Sequence, residues 1–141
     1  MTKQDIINKL ENCKRLEMEI TSIEQQLDRI ERRRAAACDK SDTNCNADTC
    51  NSKCCKIYCK SVSHLKKLLS EKLCCSAESM LQCREMIELL CDPIQARLLY
   101  LHYIEGQSWQ QVCDTVHYSL SFCMKQRRKA IDTLYNIMSS C

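Results

Sequence analysis

Glycine and proline are nearly absent from this sequence of 141 residues: each occurs once, and aromatic residues amount to 5%. Sandwiches and barrels need many turns built on these residues, so their scarcity excludes those folds and favours long helices. It also excludes a Gly-rich loop that cradles phosphates. The 45% of hydrophobic and 28% of charged residues are typical of globular proteins, and the length suits one or two small domains. We therefore predict an all-α protein.

Long hydrophobic runs are missing as well. No segment approaches the ~18 apolar residues of a membrane span, and the start MTKQDIINKLENC has no apolar core of a secretory signal. Fourteen cysteines would suggest a disulfide scaffold in a secreted chain, but such scaffolds are rich in loops, which one glycine and one proline do not favour. We expect a cytoplasmic protein in a reducing compartment, with no membrane partner.

Apolar residues recur at heptad spacing over the first 34 residues. One row holds Ile6, Cys13, Ile20 and Leu27, and a second holds Leu16, Ile23 and Ile30. This period near 3.5 is typical of a coiled-coil seam, which a single helix cannot bury alone. The partner is either another copy of the chain, giving a homodimer through residues 6–30, or a second helix of the same chain.

A second helix is predicted over residues 57–90, where apolar residues return at helical intervals without glycine or proline. Between the two helices lies a segment rich in Asp, Asn, Ser, Thr and Cys, and we predict a loop over residues 36 to about 53. Residues 1–91 are thus expected to form a helical hairpin or coiled coil with a Cys-rich loop.

The composition changes near residue 92, beyond which six of the seven aromatic residues lie. We therefore predict a second domain over residues 92–141. Asp92, Pro93 and Gln95 fit a capping box with proline at the first helical position, and the helix that follows should run over 94–104 and stop at Gly106. Ser108 with Gln111 predicts a second box and a helix over 109–116, and Ser119 should cap a third helix reaching about residue 138.

A short helix joined to a longer one across His117 and Tyr118 has the spacing of a helix-turn-helix, in which the second helix enters the DNA major groove. The segment LCDPIQARLLYLHYIEGQSWQQVCDTVHYSLSFCMKQRRKAIDTL also resembles region four of bacterial sigma factors, and more closely small phage transcriptional regulators of the ArpU type. The shared positions cover about 45 residues: Asp92-Pro93, Leu98-Leu99, Tyr103, Glu105-Gly106, Ser108-Trp109, Val112, Tyr118-Ser119, Ala130 and Leu134.

The resemblance implies a cytoplasmic DNA-binding regulator in a bacterial host, with a recognition helix over residues 119–138 and no enzymatic activity. Its DNA-binding positions would be Ser119, Ser121, Phe122, Lys125, Gln126, Arg128 and Lys129. Ser119 can meet a phosphate at the helix start, Lys125 a guanine edge or phosphate, Gln126 an adenine, and Arg128 a phosphate. Double-stranded DNA is the expected partner and host RNA polymerase a second one.

Two features, one in the third helix and one in the turn before it, favour a protein-binding role instead. Leu120, Phe122 and Met124 place apolar groups near its tip, where a base-reading helix more often offers hydrogen-bonding groups. His117 also stands at a turn position that calls for a positive φ, which glycine adopts more easily. The alternative is a helical adaptor that binds RNA polymerase or another protein without reading DNA, and the run KQRRK is then a solvated helix face.

The cysteines lack the paired C-x-x-C knuckles of a structural zinc site. Cys50 with Cys54 and Cys55 with Cys59 are each spaced to share a helical face, which makes these four the candidate metal ligands. The alternative is that cysteine acts as a small buried apolar residue, a role that suits Cys13, Cys113 and Cys123. We expect no cofactor. The sequence leaves open the target DNA, activation or repression, the oligomeric state and the reason for so many cysteines.

Overall fold

The computed structural model describes residues 1–38 and 53–140, with side chains described over 1–36 and 56–140. Every regular element in these ranges is helical, which confirms the all-α prediction. The elements are α1 (Lys3–Cys38), α2 (Lys53–Glu88), α3 (Pro93–Leu99), a π-helical turn (Tyr100–Ile104), α4 (Trp109–Val116) and α5 (Leu120–Ser139).

The predicted loop over 36–53 is too long at its start. Helix α1 continues to Cys38, because three consecutive alanines at 35–37 have the highest helix propensity and extend the helix past the last heptad residue. Helix α2 begins at Lys53, and the rest of the predicted loop, residues 39–52, lies outside the described residues. The helix predicted over 57–90 is confirmed as the main part of α2.

The chain divides into two compact units. Unit 1 contains residues 1–17 and 76–141, and unit 2 contains residues 18–75. Helices α1 and α2 therefore contribute to both units, and the predicted boundary near residue 92 falls inside unit 1, at the change from α2 to α3. The aromatic-rich segment 92–140 does not stand alone, because its apolar groups share a core with the start of α1 and the end of α2.

Unit 1 contains two apolar clusters. The larger one joins α1 and α2 to the C-terminal helices, and its members are Ile6, Leu10, Cys13, Cys83, Met86, Ile87, Leu90, Leu99, Tyr103, Ala130, Ile131 and Leu134. The smaller one lies among α3, the π-turn, α4 and α5, and consists of Leu98, Leu101, Val112, Cys113 and Cys123. Side chains from six elements thus bury one another, which is why the short helices α3 and α4 are stable here although neither is long enough to persist alone.

Unit 2 is an antiparallel pair of helical segments from α1 and α2. Ile23 and Leu27 pack on Val62, and Glu19 forms an ion pair with Lys72 at 2.8 Å. In both units the heptad rows of α1 are buried in the chain itself, with Ile6 and Ile20 at most 5% exposed. The second helix is therefore the partner of the seam, and the homodimer predicted through residues 6–30 would have to displace it.

The helix predicted over 94–104 changes form at Tyr100. Glu105 N–H donates to the carbonyl of Tyr100 five residues earlier, at 3.1 Å, and Gly106 ends the segment with a φ of 73°. The wider turn buries three consecutive residues, Leu101, His102 and Tyr103, against different neighbours. Such π-turns are rare and often occur at functional positions.

Candidate nucleic-acid interface

The start of each C-terminal helix is set by a side-chain cap. Asp92 accepts the N–H groups of Ile94 and Gln95, Ser108 and Gln111 form a reciprocal capping box, and Ser119 accepts the N–H of Phe122 at 3.2 Å. These contacts confirm the capping residues that the sequence predicts. The exception is the predicted role of Gln95 in a box with Asp92: the Gln95 side chain is buried, and it donates to Gln126 on α5 at 3.3 Å instead.

The turn between α4 and α5 is tight. His117 lies in the left-handed region at φ 63° and ψ 36°, as the spacing predicts, and its N–H donates to the carbonyl of Cys113 at 2.9 Å. Ser119 follows two residues later with extended backbone and starts α5. A residue other than glycine is strained in the left-handed region, and the packing of α4 on α5 offsets this conformational energy.

Helix α5 has two distinct faces. Cys123, Ala130, Ile131 and Leu134 point into the core. At 100° per residue, the opposite face is centred on Lys125 and includes Ser121, Arg128 and Lys129, all of which are exposed. None of these three cations forms an ion pair within the described part of the chain, and the nearest acid on this face, Asp132, is bound by Lys3 at 2.7 Å. The outward face of α5 is thus a row of free positive charge.

Five of the predicted DNA-binding residues lie on this exposed surface, and two do not. Ser119, Ser121, Lys125, Arg128 and Lys129 are exposed, whereas Phe122 and Gln126 are half-buried. The amide oxygen of Gln126 accepts from Gln95, so this side chain faces α3. The ring of Phe122 packs against Tyr118, with centroids 4.6 Å apart.

Arg127 belongs to the same basic run but has a different role. Its Nε donates to the hydroxyl of Tyr103 at 2.9 Å, that hydroxyl donates to Glu11 at 3.3 Å, and the guanidinium is 3.8 Å from Glu11. Burial raises the pKa of Tyr103 to about 12. Arg127 therefore ties α5 to the π-turn and α1 rather than to a ligand. Sequence reasoning missed this contact, although a polar phenol at an otherwise apolar core position is a signal that a charged partner is near.

His102 completes the polar contacts beneath the interface. Its Nδ1 donates to the carbonyl of Gln107 at 2.7 Å, its Nε2 lies 3.4 Å from the Lys14 ammonium, and its ring stacks on Trp109 at 4.1 Å. Burial lowers the pKa of His102, opposed by the bond to Gln107. The neutral ring thus accepts from Lys14 and holds the loop before α4, which fixes the position of the α4–α5 pair relative to the first part of α1.

A shallow groove of about 520 Å³ runs beside the turn. Pro93, Ile94 and Arg97 of α3 form one wall, and residues 115–118 form the other. Tyr118 is 42% exposed and Leu120 is 49% exposed, so apolar surface remains at the tip of α5. These groups and the basic row occupy neighbouring parts of the same helix.

Most of the candidate metal ligands have side chains outside the described residues. Cys50 lies outside the described residues, the side chains of Cys54 and Cys55 in α2 are also outside them, and Cys59 is half-buried. Over the described side chains, no three His, Cys, Asp or Glu residues are arranged to hold a metal ion. The interpretation of these four cysteines as metal ligands, and its alternative, are therefore untested.

Comparison of the chain with protein-family models, with curated proteins and with solved structures finds no match. Among the described helices, none is long and apolar enough to cross a membrane.

Proposed function

We propose that this protein is a DNA-binding transcriptional regulator of the phage type, in which α4, the turn at 117–119 and α5 act as a helix-turn-helix and α5 enters the major groove. The observation that carries the proposal is the row of exposed cations on the outward face of α5, none of which forms an ion pair with another described residue.

Phosphate contacts supply most of the affinity in this scheme. Ser119 offers its hydroxyl at the start of α5, where helix N–H groups favour an anion, and Arg128 and Lys129 reach phosphates farther along. Lys125, at the centre of the outward face, contacts a base edge or phosphate in the groove. Gln126 has its partner in Gln95 and is not expected to read a base.

The basic row would be presented on a rigid support. Arg127 holds α5 to Tyr103 and Glu11 from the opposite side, so α5 need not reorder when it meets the duplex. Pre-organisation of this kind lowers the entropic cost of association. The inward arginine and the outward arginine, adjacent in sequence, thus serve stability and binding respectively.

The experiment titrates a fluorescent random-sequence DNA duplex at low salt with the wild-type chain and with the Lys125→Glu/Arg128→Glu double variant. Binding is measured by fluorescence anisotropy. We expect binding to be lost while circular dichroism shows unchanged helicity. The matched control is Lys66→Glu/Lys67→Glu, two exposed lysines of unit 2. Either pair changes the net charge by four, from +3 to −1, so only the position of the charges differs.

Wild-type binding should weaken steeply with salt. The logarithm of the association constant should fall with the logarithm of the salt concentration, with a slope of about −0.9 per phosphate contacted. Equal loss of binding in both double variants would mean that general charge attracts the duplex, and unchanged binding of the α5 variant would refute the assignment of this helix. Selection of binding sites from random DNA then identifies the operator.

A second function, an adaptor that binds RNA polymerase or another protein, is favoured by one observation: the exposed apolar tip formed by Tyr118, Leu120 and the flanking Phe122. Under this alternative, Leu120→Ala should abolish capture of the partner, while the double variant on Lys125 and Arg128 should leave capture intact. DNA binding separates the two proposals, because the adaptor does not need it.

A further inference from the structure

Two pairs of buried cysteines bring sulfur atoms together in unit 1. Cys13 of α1 and Cys83 of α2 have their Sγ atoms 2.7 Å apart, and Cys113 of α4 and Cys123 of α5 have theirs 3.6 Å apart. All four thiols are free. Burial as small apolar residues accounts for the second pair, whose sulfurs are at ordinary contact distance, but it does not account for the first.

The Cys13–Cys83 pair lies among polar groups in an otherwise apolar seam. The hydroxyl of Ser79 is 3.3 Å from Cys13 Sγ, and Ser79 in turn accepts from Asn12 at 3.4 Å. The single proton of the Cys83 thiol has two possible acceptors, the carbonyl oxygen of Lys9 at 3.4 Å and Cys13 Sγ. A carbonyl oxygen repels a thiolate and a hydroxyl stabilises one, so the two sulfurs are not equivalent: Cys13 is the site of negative charge, and Cys83 keeps its proton.

The acidities follow this asymmetry. Donation from Cys83, aided by Ser79, lowers the pKa of Cys13 to about 7, against burial and the nearby carboxylate of Glu17. The same contact, together with burial, raises the pKa of Cys83. A thiolate with a protonated thiol beside it is the arrangement of a nucleophilic and a resolving cysteine.

We propose that Cys13 and Cys83 form an oxidisable dithiol, converted by a hydroperoxide into a disulfide that joins α1 to α2. The Cys13 thiolate attacks one peroxide oxygen, the O–O bond breaks, and sulfenic acid forms with release of hydroxide. The sulfur of Cys83 then attacks the sulfur of Cys13, and water leaves as the Cys83 proton is given up. Two thiols and one hydrogen peroxide thus yield one disulfide and two waters, with the two sulfurs oxidised and the two peroxide oxygens reduced.

Closure of the bond needs little movement. The sulfurs must approach from 2.7 Å to about 2.05 Å, a change that side-chain rotation supplies within the packed cluster. Because both thiols are buried, the oxidant reaches them when the α1–α2 pair opens locally, so the oxidation is slower than that of an exposed thiol. The product links residues 70 positions apart in the cluster that also holds Ala130, Ile131 and Leu134 of α5. Oxidation therefore stabilises unit 1.

The Cys113–Cys123 pair is the internal control. Its sulfurs are 3.6 Å apart, and burial raises the pKa of Cys123 to about 11, so Cys123 stays protonated. If burial beside a second thiol were enough for oxidation, both pairs would react alike. If the activated thiolate determines it, Cys13–Cys83 should form at least about tenfold faster.

The experiment uses the full chain with Cys13, Cys83, Cys113 and Cys123 retained and the other cysteines replaced by serine. After hydrogen peroxide treatment and alkylation of residual thiols, non-reducing peptide mapping should find the 13–83 link first. The wild-type chain is mapped in parallel, so the result does not depend on folding of the variant. No 13–83 link, a 113–123 link at an equal rate, or a sulfinic acid at Cys13 without a link would overturn the proposal.

Thermal unfolding supplies a second measurement. Peroxide should raise the melting temperature of the wild-type chain, and a thiol reductant should reverse the rise. Cys83→Ala should abolish the rise and leave a sulfenic acid at Cys13 that dimedone traps, formed more slowly because the Cys83 donor is gone, whereas Cys113→Ala should retain the rise. An equal rise in the Cys83→Ala chain would mean that another pair is responsible. Neither measurement involves DNA, so the proposal stands or falls independently of the proposed function.

Discussion

The two units of this protein bury their apolar residues in different ways. In unit 1, six elements surround the core, and Leu10, Leu98, Leu99 and Leu134 have no exposed surface. In the described part of unit 2, two helical segments cover each other, and the best buried members of their cluster, Ile23 and Val62, keep 6–7% of their surface exposed while Leu65, Leu68 and Leu69 are half-buried. A helix pair leaves one side of each apolar stripe near water, and a multi-helix cluster does not.

This difference in burial predicts that unit 1 contributes more to the free energy of unfolding than unit 2. Buried apolar area contributes roughly 25 cal/mol per Å², and local opening occurs where few such contacts hold the backbone. Unit 1 carries the proposed interface, the polar contacts beneath it and the thiol pair. Between the two described segments of unit 2, one small apolar cluster and the ion pair of Glu19 with Lys72, whose side chains are about one third exposed, make the contacts.

The largest expected effect compares the same substitution in the two cores. Leu134→Ala should lower the free energy of unfolding by about 3–4 kcal/mol, because a fully buried side chain leaves a cavity among α1, α2 and α5. Leu27→Ala in unit 2 should cost about 1–2 kcal/mol, because water reaches that site more easily. Urea unfolding followed by circular dichroism measures both, and equal losses would contradict the comparison.

The next effect compares polar contacts. Arg127→Ala should cost about 1–2 kcal/mol, since the buried hydroxyl of Tyr103 loses its donor and Glu11 its cation. Lys72→Ala should cost about 0.5 kcal/mol, because its pair with Glu19 is partly solvated. A loss at Lys72 as large as that at Arg127 would show that unit 2 depends on its ion pair more than on its cluster.

The smallest effect compares one substitution in a turn and in a helix. His117→Gly should raise the free energy of unfolding by about 0.5–1 kcal/mol, because it removes the Cβ from a left-handed residue. His64→Gly, at an exposed position within α2, should lower it by about 0.5 kcal/mol through lost helix propensity. Destabilisation by both substitutions would mean that the His117 side chain makes a compensating contact.

The helix caps, the turn residue and the exposed face of α5 could be predicted from the sequence alone. The caps at Asp92, Ser108 and Ser119 act within three residues of themselves, so their positions in the sequence suffice to start α3, α4 and α5. The positive φ of His117 follows from the length of the turn in the same way. The outward row on α5 was likewise predictable, because a periodicity of 3.6 residues separates Lys125 and Arg128 from the buried Cys123 and Ala130.

Contacts between distant segments were not readable in this way. Gln126 was assigned to a base and Gln95 to a cap independently of each other. In the structure the Gln95 side chain on α3 donates a hydrogen bond to the Gln126 side chain on α5. The homodimer and the intrachain hairpin were equally compatible with the heptad rows, because a seam specifies an apolar partner but not its origin. Cys83 lies three residues after Met80, which places both on one face of α2, but this spacing does not show that Cys83 meets Cys13 of α1.

The sequence by itself determined the helical class, the starts of the C-terminal helices and the charged face of α5, because propensity, capping and periodicity act over a few residues. Tertiary structure alone decided that the start of α1 shares a core with α5, that Arg127 turns inward while Arg128 faces solvent, and that two cysteines 70 positions apart meet. These outcomes depend on which apolar stripes cover one another, and that choice is made by the packing of the whole chain rather than by any segment of it.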